Sequence, residues 1–358
     1  MIEHATGDLL HADADAIVNT VNTVGVMGKG IALQVKQAFP AVFEDYARAV
    51  KRKEVRPGRM HVVATHAVAG PRFIINFPTK EHWRGKARIE FIREGLEDLV
   101  RVIRRLEIKS VAVPPLGCGS GGLDWREVQP MIEKALRGLR DVKVLLYAPA
   151  GAPVADDMIV STKRPNLTPS RAAFLRLFED YAVPGYRLTM LEVEKLAYFL
   201  QEAGEPLKLR FARGQYGPYA EQMHHVLQRL EGHFIRGYGD RSRAASITPV
   251  EGATDEAARV LQDYPETLRH LAMVSSLIRG FEAPYGLELL STVFWVAKEE
   301  DGRVLQDPDV AVERVHEWSE RKRRTFQAPH IKIAWQRLRD EGWFKRAADR
   351  PAPAPASS

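Results

Sequence analysis

Along the first 150 residues the apolar positions switch between two periods. Short runs rich in β-branched residues predict strands: "DAIVNTVN" (15–22), "RMHVVATHAV" (59–68), "RFIINFP" (72–78), "SVAVPPLG" (110–117) and "DVKVLLYAP" (141–149). Between them the spacing turns helical. "GIALQVKQAFPAVFEDYARAV" (30–50) reads as helix with a break at Pro40, which lacks an N–H and crowds the preceding turn. In "ARIEFIREGLEDLVRVIRRLEI" (87–108), Ile89, Ile92, Leu96, Leu99, Ile103 and Leu106 line one face. "WREVQPMIEKALRGL" (125–139) is a third helix. Strands separated by helices predict an α/β domain over 1–155, with a mixed, largely parallel central sheet between helices. Ligands of such sheets bind beyond the C-terminal ends of the strands.

The pattern then changes. "STKRPNLTPS" (161–170) holds two prolines among small polar residues, and 156–171 is expected to be a linker. Beyond it, helical spacing dominates. "TMLEVEKLAYFLQEAG" (189–204) puts Leu191, Leu196, Phe199 and Leu200 on one side and ends at Gly204. "PYAEQMHHVLQRLEG", "PETLRHLAMVSSLIRGF", "GLELLSTVFWVAKEE" and "HIKIAWQRLRDEGWF" complete a mostly α-helical domain over 172–349. "PAPAPASS" makes 350–358 a disordered tail by composition. No internal repeat is visible.

Composition narrows the class. Hydrophobic residues at 45% and charged residues at 27% suit packed cores. No run is apolar and long enough to span a bilayer, and the first residues lack the basic start of a secretory leader. A single cysteine, Cys118, excludes an internal disulfide and fits a reducing compartment. The expectation is a cytoplasmic protein without a membrane partner. A net charge of +6 and a pI near 9.3 permit contact with nucleic acid or a phosphorylated ligand. The basic pieces "KRK" (51–53), "RR" (104–105) and "RKRR" (321–324) read as solvated faces rather than one groove.

Three loops at strand ends carry candidate chemistry. In "GVMGKGIA" (25–32), Gly28 and Gly30 leave the backbone bare before a helix start, whose free N–H groups and positive dipole end suit a phosphate. Leu33 stands where a dinucleotide fingerprint needs its third glycine. In "PPLGCGSGGLDW" (114–125), four glycines follow a buried strand, and such a loop can wrap amides around a diphosphate. Cys118 in it reads as a small packed side chain, because no histidine base lies nearby in sequence. In "TGDLLHADADAIVNTVN" (6–22), Asp8 ends the first strand, and Asn19 and Asn22 are placed at the end of the second. Asp8 can accept from an adenine amino group or from its own turn, and Asn22 can reach ribose hydroxyls or cap its own loop.

Taken together, "GDLL", "DAIVNTVN", "MGKGIALQVKQAFP" and "PPLGCGSGGLDW" resemble the macrodomain in order and spacing, over roughly 1–150. The resemblance implies an ADP-ribose pocket and no cofactor or metal. It puts Asp8 and Leu9 at the adenine end, and Thr20, Val21 and Asn22 near the distal ribose. Gly28, Gly30, Ile31 and Ala32, with Gly117, Cys118, Gly119, Ser120 and Gly121, surround the diphosphate, and Thr79 completes the pocket. "MGKGIA", "GCG" and "NFPTKEHWRGKARIEFI" look most like the branch of the terminal ADP-ribose protein glycohydrolase and the DNA ADP-ribosyl glycohydrolase antitoxins of the DarG type. That resemblance makes Lys80 the catalytic residue. The protein-directed relative also carries a catalytic aspartate shortly after "GCG". Gly121 stands at that position here, and Asp124 follows three residues later.

Cleaving the bond to C1 of the distal ribose passes through a cation-like carbon. A neutral Lys80 amine can attack it or form a Schiff base with the opened ribose, and a charged one can assist the leaving group. An unperturbed lysine, with a pKa near ~10.4, is almost wholly protonated at neutral pH. Desolvation or neighbouring Lys29, Arg84 or Lys86 can lower it. His82 and Trp83 can stack on a single-stranded or flipped base, although helix packing explains Trp83 equally well.

"LTMLEVEKLAYFLQEAGEPLKLRFARGQYGPYAEQMHHVL" resembles helical antitoxin domains with an "EKLxYF…YGPY" pattern, which implies binding of a cognate toxin that ADP-ribosylates DNA. Tyr216, Pro218 and Tyr219 read as a rigid aromatic turn, and Phe199, Leu200 and Trp295 as core. His224 and His225 read as helix surface. The acidic stretch "KEEDGRVLQDPD" (298–309) is a weak candidate for a DNA-like surface. The expected function is an antitoxin that removes ADP-ribose from a DNA base, with thymidine as the expected base and single-stranded DNA as the expected substrate. The rivals are a hydrolase of ADP-ribosylated protein side chains and a non-catalytic ADP-ribose reader.

Overall fold

Ala16 and Val18 of the second strand face one way and Ile17 the other, and all three are fully buried. That is the mark of a strand with helices on both sides. The computed structural model describes residues 1–67, 70–151, 153–181, 185–241 and 243–348. The chain forms two units. One holds Met1–Lys163 with Gly239–Arg243, and the other holds the rest.

The first unit runs β1 (Ile2–Ala5), β2 (Ala16–Val21), α1 (Gly30–Ala38), α2 (Pro40–Lys51), β3 (His61–Ala64), β4 (Phe73–Pro78), α3 (Ile89–Arg105), β5 (Ser110–Val113), α4 (Trp125–Leu136) and β6 (Lys143–Tyr147). The sheet order is β1-β6-β5-β2-β4-β3. All neighbours are parallel except β4 and β3. Ala16, Val18, Ile75, Phe77, Val111 and Val113 pack against α3 and α4, while Ile17, Ile74 and Ala112 pack towards α1 and α2. The expected break at Pro40 is real: α1 stops at Ala38, and Pro40 opens α2 at its first position, where no N–H is needed. The predicted strand at 59–68 is shorter than its apolar run, and Val68 lies outside the described residues.

The second unit is mostly helical, as the spacing predicts. Its helices are α5 (Pro169–Tyr181), α6 (Met190–Ala203), α7 (Gln222–Leu230), α8 (Ala253–Leu261), α9 (Pro265–Ile278), α10 (Pro284–Trp295), α11 (Pro308–Trp318), α12 (Glu320–Thr325), α13 (Ala328–Asp340) and α14 (Trp343–Ala348). A capping box between Thr189 and Glu192 starts α6, and Gly204 at φ 123° ends it. Gly217, Pro218 and Tyr219 belong to a small hairpin with Ala212–Gly214, so α7 begins four residues after Pro218 rather than at it. Tyr216 lies in the hairpin turn and is exposed. Phe199 and Leu200 lie in the core, with Trp295 packed against it.

One reading of the basic runs is corrected. Lys322 within "RKRR" is fully buried, donating to Glu288 Oε1 and Thr292 Oγ1 at 2.9 Å each. Arg321 grips both oxygens of the same Glu288. The 298–309 carboxylates are largely neutralised within the unit: Glu300 by Arg213, Asp301 by Arg303 and Arg314, Asp309 by Lys332. No described helix is long and apolar enough to cross a membrane, and the described residues hold no cluster able to ligate a metal ion. The 350–358 tail lies outside the described residues.

Candidate active site

Because β1, β6, β5, β2 and β4 are parallel, their C-terminal ends share one edge. Every residue expected in the pocket lies there. Asp8 and Leu9 follow β1, Thr20 to Asn22 end β2, Gly28 to Ala32 lead into α1, Thr79 and Lys80 follow β4, and Gly117 to Gly121 follow β5. From β1 to β4 the edge spans four strand intervals, about 19 Å.

The β2–β4 ladder fixes the lysine. Val21 pairs with Pro78, and the next amide, Thr79 N, still donates to Val21 O at 3.0 Å. Lys80 therefore leaves the sheet one residue beyond a rigid ladder. Its amine donates to Trp83 O at 3.2 Å and Ser120 O at 3.4 Å, joining the loop after β4 to the glycine loop after β5. Ala87 N to Gly121 O at 3.0 Å joins them again. Burial lowers the Lys80 pKa from its ordinary value, and neighbouring cations are not needed to account for it.

The glycine loop has a shape that only glycine allows. Gly117 sits at φ 72°, and a Cβ on Gly121 would lie 2.3 Å from Gly117 O and 2.7 Å from Ala87 Cβ. No side chain, and so no catalytic carboxylate, fits at 121 in this loop. Asp124 caps α4, accepting from Arg126 N at 2.9 Å, and the Arg126 guanidinium holds its carboxyl below the usual range. It is an exposed, ionised cap. The amides of Gly119, Ser120 and Gly121 donate to no acceptor among the described residues. Burial pushes the Cys118 thiol up to about 11, and its Sγ–H points at Leu116 O, which suits a packed side chain.

Two asparagines serve the scaffold. Asn19 is mid-strand, not at the strand end, and donates to Asn76 Oδ1 at 2.8 Å in the core. Asn76 in turn meets His61, whose other ring nitrogen lies 3.1 Å from Asp45. Asn22 spends its side chain on its own loop: Nδ2 donates to Val26 O, and Oδ1 accepts from Val24 N and Val26 N. Its capping role is therefore realised. Asp8 also caps its own turn, accepting from Leu10 N at 2.8 Å through Oδ1 and meeting His11 Nδ1 at 3.0 Å through Oδ2.

Sequence reading missed four supports. Tyr46 donates to Asn22 O at 2.7 Å, and burial pushes its hydroxyl pKa up. Thr23 gives both its N–H and its hydroxyl to Glu81 O, tying the loops after β2 and β4 together. Gly30 N, at the start of α1, donates to Asp240 O at 2.9 Å, and Gln34 Nε2 donates to Asp240 Oδ2 at 2.6 Å. Only the apolar face of α2 hinted at Tyr46, and nothing local to residue 30 points to residue 240.

The Macro domain family matches residues 18–132. Over its whole length the chain is 46% identical to the DNA ADP-ribosyl glycohydrolase of Thermus aquaticus, and the match covers 99% of that protein. The chain belongs to the DNA ADP-ribosyl glycohydrolase family. The Mycobacterium tuberculosis protein of the same name is 42% identical over 94% of this chain and 99% of its own. A DNA ADP-ribosyl transferase–DNA ADP-ribosyl glycohydrolase fusion protein of Thermosipho africanus is 36% identical over 42% of each chain. Membership of this glycohydrolase family accounts for both units, since the first two matches run through the macrodomain and the helical unit alike.

Proposed function

We propose that this chain hydrolyses the glycosidic bond between ADP-ribose and a DNA base, thymidine, and so reverses the product of a cognate toxin. The carrying observation is Lys80: a half-buried amine with only carbonyl partners, placed at the sheet edge between two loops. Residues 1–155 would hold the ADP-ribose, with Asp8 and Leu9 at the adenine end and the 28–32 and 117–121 backbones around the diphosphate. The lone pair of a neutral Lys80 forms a bond to C1 of the distal ribose as the bond to the base breaks. The proton lost by the amine goes to the departing base. Water then displaces the lysine, yielding free ADP-ribose and restoring the amine.

Residues 172–349 are assigned to binding the toxin, a DNA ADP-ribosyltransferase. The relative in which a transferase and a glycohydrolase share one chain supports that pairing. The test is incubation with ADP-ribosylated single-stranded DNA and, in parallel, ADP-ribosylated protein. Wild type should release ADP-ribose from the DNA, and Lys80→Ala should lose at least about a thousand-fold in kcat while still binding ADP-ribose. Faster release from protein than from DNA favours the protein-directed reading. Wild-type turnover by Lys80→Ala removes the lysine from the chemistry.

A further inference from the structure

We propose that the loop Thr79–Arg88 carries a binding ledge for the DNA strand beside the modified nucleotide, with Trp83 as its base platform and Arg84 and Lys86 as its phosphate contacts. The inference rests on the function proposed above and adds how the enzyme would tell a modified polynucleotide from modified protein.

Trp83 is 44% exposed and belongs to none of the hydrophobic clusters of its unit. Among the described residues of that unit it is the single aromatic among the exposed large hydrophobics. Two others, Val24 and Val26, lie on the loop that Thr23 ties to Glu81 O. An indole left in water at a sheet edge where ligands bind is more informative than scattered apolar residues elsewhere. The ring is held in place: His82 lies 5.6 Å from it at 30°, the Arg84 guanidinium lies over it at 4.6 Å, and Arg84 N donates to His82 Nδ1.

The loop itself is fixed, with Gly85 N on His82 O, Arg88 N on Thr79 O and Ala87 N on Gly121 O. The carbonyl of Trp83 accepts from the Lys80 amine, so the platform is tied to the reacting group. Between Thr79 and Arg88 the sequence has Lys80, Arg84, Lys86 and Arg88 against one carboxylate, Glu81. Neither Arg84 nor Lys86 pairs with a carboxylate among the described residues, and both are exposed. Cations without a carboxylate partner beside an exposed aromatic match a polyanion whose bases are free to stack, which is single-stranded DNA. A duplex keeps its base faces inside and offers Trp83 nothing.

The full chain is titrated with a fluorescent, unmodified single-stranded oligonucleotide, with its duplex, and with ADP-ribose. Trp83→Ala should weaken single-strand binding about ten-fold. The pair Arg84→Ala and Lys86→Ala should lower the slope of log affinity against log salt by about 1.4. In turnover, Trp83→Ala should raise KM for ADP-ribosylated oligonucleotide about ten-fold relative to KM for an ADP-ribosylated mononucleoside. Unchanged oligonucleotide binding by Trp83→Ala overturns the ledge. So does an equal loss of oligonucleotide and ADP-ribose binding, or equal affinity of wild type for duplex and single strand. If Trp83-dependent single-strand binding is found while wild type releases no ADP-ribose from modified DNA, the ledge stands and the glycohydrolase reading falls.

Discussion

Lys80 in the first unit and Lys322 in the second both lose water on folding, and their surroundings set them apart. Lys322 is wholly enclosed, with burial bringing its pKa to about 8 against the pull of Glu288. Glu288 and Thr292 take its hydrogen bonds, and the Trp318 and Phe326 rings lie 5.1 and 4.9 Å away. Lys80 is also lowered by burial, yet its partners are two carbonyl oxygens and it stands at an open edge. A depressed lysine is therefore not by itself a mark of catalysis. The surroundings differ: a carboxylate and a hydroxyl hold the Lys322 amine inside the core, whereas two carbonyls hold the Lys80 amine at the sheet edge.

The contrast breaks most visibly in turnover, where Lys80→Ala carries the largest expected loss, given above. Next in size is Glu288→Ala, which strands the buried Lys322 charge. It should cost the helical unit about 3–5 kcal/mol in chemical denaturation. A loss below about 1 kcal/mol would mean that Lys322 sheds its proton or reaches solvent. Gly121→Ala comes third. Its Cβ has no space against Gly117 O, so the glycine loop must shift, and on the proposed function ADP-ribose affinity measured by calorimetry should fall about ten- to a hundred-fold. Affinity like that of wild type would show that this loop takes no part in binding.

A further test is in pH. An ordinary lysine is half neutral near pH ~10.4, and burial moves Lys80 below that. The neutral fraction, and kcat/KM with it, should climb from pH 6 and level off before pH ~10.4. A profile that falls over that range assigns the charged amine instead.

The sheet edge was legible because strands and glycine loops announce themselves locally: apolar β-branched runs, then Gly28 and Gly30, then Gly117–Gly122. Lys80 stood out through its place after "NFPT". What stayed hidden were pairings across distance. Asn19 and Asn76 find each other through strand register, and nothing in "DAIVNTVN" says which asparagine faces the core. Trp83 fits a helix as well as a loop until the hydrogen bonds from Lys80 and Gly85 close the turn. "RKRR" looked solvated because a carboxylate 34 residues away neutralises its buried member.

The bond from Gly30 N to Asp240 O bears on how the protein is made. A ribosome delivers the sheet, the glycine loops and Lys80 by residue 163, but the acceptor for the first amide of α1 is still 77 residues away. At roughly 5–20 residues per second, the nascent macrodomain waits roughly 4 to 15 seconds for it. During that interval the start of α1 has only water for a cap. The start of α1 is thus capped late in synthesis, after much of the helical unit has begun to emerge.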